Sequence, residues 1–137
     1  MKPHENVKRD LVMQWLARAD EDLAAAHHLL MADPPLLGVV GFHTQQATEK
    51  YLKAFLVWVQ IDFPKTHDIG VLLRLVSKSS PALSDKLGET IGLTDFAVEL
   101  RYPGNLPTLT RKEAESAVAL AEQAHTRVLA SLRDAGM

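Results

Sequence analysis

Apolar residues recur along this chain at steps of four and three, and no run alternates with polar residues as a strand would. From Val7 to Ala32, the positions Val12, Leu16, Ala19, Leu23, Ala26 and Leu30 share one helical stripe. Leu11 and Trp15 widen that stripe, and Asp10, Arg18, Glu21 and Asp22 take the opposite side. Asp33-Pro34-Pro35 ends the helix, because proline cannot continue it. The same Asp33 is placed to cap the next helix, with Pro34 in its first turn. That second helix is expected over Leu36 to Ile61, with Val40, Ala47, Tyr51, Ala54 and Trp58 in register and Phe42, Leu52, Leu56 and Val59 beside them. Asp62 to Thr66 reads as a loop, and a short helix then starts near Asp68, carrying Ile69, Leu72, Leu73 and Val76.

Ser80-Pro81 pairs a cap with proline at the first helical position. The fourth helix would carry Leu83, Leu87, Ile91 and Phe96 toward Leu100, weakened by Gly88 and Gly92, which serve at most as a packing device. Tyr102 to Leu109, with Pro103, Gly104 and Pro107, reads as a loop. Thr110-Arg111-Lys112-Glu113 is a capping box opening a final helix through Ala114, Ala117, Ala121, Ala124, Val128 and Leu132. The pattern predicts an all-α fold, an up-and-down bundle of four long helices plus a short fifth.

Length and composition narrow the function classes. The 137 residues suit a single domain over 1–137, with a core from about 7 to 134, and 47% hydrophobic residues supply that core. No stretch is long and apolar enough to span a membrane, and the polar first ten residues lack the apolar run of a secretory signal. Without cysteine there is neither disulfide nor thiol chemistry, which is compatible with a cytoplasmic protein. A net charge of −2 argues against polyanion binding by the whole surface. Residues 50–78, however, hold Lys50, Lys53, Lys65, Arg74 and Lys78 against Asp62 and Asp68 only, either a solvated patch or a face for phosphate.

The six histidines do not make a metal site. No two of them are four residues apart, and the lone Glu122-x-x-His125 step lacks the second motif that di-iron bundles need, so no metal and no cofactor is expected. Nucleophile elbows, dinucleotide fingerprints and P-loops are likewise missing; Gly38-Val39-Val40-Gly41 fits none of them. Trp15 and Trp58 are most simply core, or partly a dimer face. The informative stretch is 42–54, where His43, Gln46, Lys50 and Lys53 form a polar stripe on a largely apolar helix. Two readings stay open from spacing alone. Glu49 and Lys53 pair at i, i+4 while Gln46 bonds a neighbouring loop, as an internal network; or the stripe lines a pocket between helices.

Phe42-x-x-Gln45-Gln46-Ala47-x-Glu49-Lys50-x-Leu52-Lys53-Ala54, then Pro64-Lys65-Thr66-His67-Asp68, then Arg101-Tyr102-Pro103, resembles the HEPN family in order and spacing from about Leu11 to Val128. The resemblance implies a four- or five-helix bundle that forms a homodimer and acts in nucleotide or RNA biology. It also implies a minimal nucleotidyltransferase as partner, in the manner of a toxin–antitoxin pair. Many members are metal-independent ribonucleases marked by an arginine followed, after four to six residues, by a histidine. Here Arg101 faces Leu106, Pro107 and Thr108 in that window, and no other arginine is followed by a suitably spaced histidine. The ribonuclease motif is absent.

Three functions follow, in order of expectation. The first is a noncatalytic nucleotide- or RNA-binding subunit, using Gln46, Glu49, Lys50, Lys53, His67, Arg101 and Tyr102. The second is a noncatalytic dimeric interaction module, whose polar stripe fixes register. The third is a ribonuclease using Arg101 with His67 as a displaced base.

Overall fold

The structure is a computed structural model that describes residues 3–96 and 108–137. It is an all-α helical bundle: α1 (Pro3–Met31), α2 (Leu37–Trp58), α3 (Ile69–Ser77), α4 (Pro81–Lys86), a 3₁₀ helix (Gly88–Phe96) and α5 (Arg111–Asp134). The central element is α2, packed between α1 and α5 and touched by α3 and the 3₁₀ helix. Its apolar stripe is accordingly buried nearly all round: Ala47, Tyr51, Leu52, Ala54 and Leu56 are inaccessible to solvent. The α1 stripe supplies Val12, Leu16 and Ala19 to the same core, and α5 supplies Ala121, Ala124 and Val128. Alanine at the α2–α5 contact lets the helix axes approach closely, as ridges-into-grooves packing requires.

Local signals set the starts of α3, α4 and α5. Asp68 caps α3, its carboxylate accepting from the Val71 amide at 3.3 Å. Ser80 caps α4 by accepting from the Leu83 amide at 3.2 Å, with Pro81 in the first turn. At α5 the capping box is complete: Thr110 Oγ1 accepts from the Glu113 amide at 3.1 Å, and Glu113 Oε1 accepts from the Thr110 amide at 3.0 Å.

Three expectations are corrected. Asp33 does not cap α2. The preceding residue of that helix is Leu36, which makes no side-chain cap, and the linker is tied back instead by the Leu36 amide donating to Leu29 O at 3.1 Å. A capping side chain serves amides two or three residues onward, and Asp33 stands too far before Leu37 to do so. The fourth helix is not continuous either. It stops as an α-helix at Lys86 and proceeds as 3₁₀, so its core positions change from steps of four to steps of three. Leu87, Thr90 and Leu93 are buried at that spacing, with Phe96 packed against the core, while Ile91 is left 49% exposed. Among the described residues nothing lies within 4 Å of a Cβ at Gly88 or Gly92, so they pack against none of these. Gly41 is the close-packed glycine: a Cβ there would sit 3.1 Å from Phe96 Cγ and 3.2 Å from Leu109 Cδ2. The expected course toward Leu100 and the loop through Pro103, Gly104 and Pro107 lie outside the described residues.

Candidate functional site on the α1–α2 face

The polar stripe of α2 resolves into two networks. The inner one centres on Glu49, whose residue is only 3% exposed. Its Oε1 accepts from Lys53 Nζ at 2.6 Å, and its Oε2 accepts from Gln45 Nε2 at 2.9 Å. His67 Nδ1 lies 2.7 Å from the same Oε2. A carboxylate can only accept, so Nδ1 carries the hydrogen in this pair, and the Gln46 Nε2 approach to Nδ1 at 3.4 Å is proximity rather than a bond. Gln45 Nε2 also donates to the His67 carbonyl at 3.0 Å, and Gln46 Nε2 donates to Gln45 Oε1 at 2.7 Å. Glu49 thereby holds the loop that leads into α3 against α2. Lys53 is 8% exposed, with its ammonium 5.6 Å from the Trp15 ring centroid and 5.7 Å from that of Phe63. These rings pack edge to face at 6.3 Å and close over the ion pair.

The outer network centres on Asp22 of α1. Its Oδ1 lies 2.9 Å from His43 Nδ1, and its Oδ2 accepts from Lys50 Nζ. His43 and Lys50 each keep about a quarter of the side chain exposed, 24% in both cases. One turn along α1, Arg18 is exposed and joins Leu11, Gln14, Trp15 and Lys50 in lining a groove of about 290 Å³. The groove thus offers an aromatic wall, an amide and two cations, which suits a planar base carrying phosphate.

A third polar group lies one helical face away. Tyr51 donates its hydroxyl to Asp20 Oδ1 at 2.6 Å, and its ring meets that of His125 edge to face at 5.4 Å. Burial, then the hydrogen bond to Asp20, then the charges of Asp20 and Asp22 push the phenol far above its usual range. Of the Glu122-x-x-His125 step, Glu122 reaches His27 at 3.3 Å and His125 reaches Asp20 at 3.9 Å, so the two do not converge.

The structure brings Gln46, Glu49, Lys50, Lys53 and His67 to one side of α2, with Glu49 and Lys53 mostly enclosed and Gln46, Lys50 and His67 nearer the surface. Arg101 and Tyr102 lie outside the described residues. The sequence placed His43 in the polar stripe but did not assign Gln14, Trp15, Arg18 or Asp22 to a site. A signal was present in Leu11, Trp15, Arg18 and Asp22, which follow one another at steps of four, three and four on α1.

A family model described as HEPN domain matches residues 12–131, most of the chain. Searches of curated proteins and of solved structures each returned no match. With a match of that extent, and with the Gln45–Lys53 and His67 motifs joined in one network, the chain belongs to the HEPN domain family.

Proposed function

We propose that this protein is a noncatalytic nucleotide- or RNA-binding subunit, a cytoplasmic homodimer working beside a minimal nucleotidyltransferase in a toxin–antitoxin-like pair. One observation carries the reading: in a HEPN chain, the α1–α2 groove sets Trp15 beside Arg18 and Lys50. Trp15 supplies a stacking wall, and the two cations take phosphate oxygens. Gln46 and His67, on the same side of α2 as Lys50, are proposed to add polar contacts, and Arg101 and Tyr102, outside the described residues, are proposed to add to them. Glu49 and Lys53 act indirectly, by holding His67 in place. Calorimetric titration with mononucleotides and short RNAs tests this. Saturable heat that vanishes with Arg18→Ala is expected, and silence at millimolar ligand for both classes removes the binding role and leaves a dimeric interaction module.

A second reading, metal-independent ribonuclease, is favoured by the way Glu49 holds His67. An imidazole whose Nδ1 is fixed by a carboxylate has its other nitrogen oriented for proton transfer. RNA incubated with the purified chain decides it. Cleavage lost in both Arg101→Ala and His67→Ala supports the enzyme; cleavage that survives both belongs to another site or a contaminant.

A further inference from the structure

We infer that the groove between α1 and α5 is a binding site for a medium-chain acyl carboxylate. This groove, about 360 Å³, lies on a different face of α1 from the one described above. Its floor is aliphatic, formed by Met13, Leu16, Leu129 and Leu132, and Arg9 and Arg133 line it as well. Neither arginine makes an ion pair among the described residues. Arg9 is under-satisfied in a second respect: its Nε is buried and has no hydrogen-bond partner among the described residues. A buried donor left unsatisfied is costly and uncommon in folded proteins.

The Arg9 guanidinium is also held in place. Its central carbon sits 5.2 Å from the Trp58 ring centroid, and Trp58 is anchored by its indole N–H donating to Ala135 O at 2.9 Å. Lys8 Nζ, 4.0 Å from the same centroid, adds a further positive charge nearby. Cations at one end of an apolar floor call for an anion with a hydrocarbon tail. Asp20 lines the groove too, eleven residues along α1 from Arg9, or about 16 Å at the rise of an α-helix. Its negative charge disfavours a second acidic group at the far end, so the fitting ligand has one head. Met13, 53% exposed and unbranched, can adjust its rotamer to the tail.

The test is calorimetry on the full chain with decanoate, decanol and decyltrimethylammonium, each below its solubility limit or micelle threshold. The inference expects saturable binding of decanoate, much weaker binding of the other two, and about tenfold loss with Arg133→Gln, the worth of one charge-assisted hydrogen bond. Met13→Glu should abolish binding, and because both positions are exposed the variants should fold. Lys50→Ala, on the other groove, should leave decanoate binding unchanged. Equal binding of the three amphiphiles, no binding of decanoate, or decanoate binding indifferent to Arg133→Gln would each overturn the inference.

Discussion

Glu49 shows how one side chain can be structural and still bear on a site. Its carboxylate serves Lys53, Gln45 and His67 at once, inside a bundle where a lone charge is expensive. Glu49→Ala should therefore cost about 3–5 kcal/mol in urea unfolding, because Lys53 is left buried without its partner. The double variant Glu49→Leu/Lys53→Met should recover part of that loss, since an apolar pair of similar size replaces the ion pair. A double variant no more stable than Glu49→Ala would mean that the Gln45 and His67 bonds dominate. Tyr51 gives a prediction in pH. Its folded-state ionisation is raised above the ordinary phenol value near 10, so its contribution is fully present below that pH and is lost as pH rises beyond it. Tyr51→Phe should flatten the alkaline fall in stability above about pH 10, at a cost near 1 kcal/mol at neutral pH. An unchanged alkaline limb would refute the assignment. The i, i+4 pairing of Glu49 with Lys53 could be read from the sequence because both partners sit on one helix. Asp22–Lys50 and Tyr51–Asp20 could not, being 28 and 31 residues apart, with no local rule joining them.

Among the elements, α3, α4 and α5 begin where local chemistry in the sequence places them, whereas the Asp33 cap of α2 and the continuous fourth helix do not form. Asp68, Ser80 and Thr110 each cap the helix their sequence announces, because a cap bond spans three residues. Thr110→Ala should lower stability by about 1 kcal/mol, seen in chemical denaturation. The backbone bond from Thr110 holds the Glu113 carboxyl below its ordinary range. Its stabilising effect is present above that ordinary range and is lost as pH falls through the lowered value, so Glu113→Gln should blunt acid unfolding there. The 3₁₀ segment is the opposite case. Its glycines weaken an α-helix, and the core then selects Leu87, Thr90 and Leu93 at steps of three, which a search for steps of four passes over. With no described atom within 4 Å of a Cβ at Gly88 or Gly92, alanine at either should stabilise by about 0.4–1 kcal/mol by restricting the unfolded chain. Gly41→Ala should destabilise, since its methyl meets Phe96 and Leu109. Equal effects at all three positions would contradict this division.

For the whole molecule, the bundle places α2 so that its apolar side faces the core and its polar stripe meets α1 and the loop before α3. The all-α architecture was legible in periodicity, and the family in the Gln45–Lys53 and Pro64–Asp68 motifs. The α1 half of the groove was less legible, because Arg18 and Asp22 look like ordinary solvent-facing residues until α2 is packed beside them. We propose that this HEPN chain takes a nucleotide or RNA phosphate between Arg18 and Lys50. Thermal unfolding at fixed protein concentration, against a panel of nucleotides and short RNAs, tests it most directly. A ligand at about 100 times its dissociation constant should add about 2.7 kcal/mol of stability, and the resulting shift in Tm should disappear in Lys50→Ala. No shift across the panel, or a shift that Lys50→Ala and Arg18→Ala both leave intact, would contradict it.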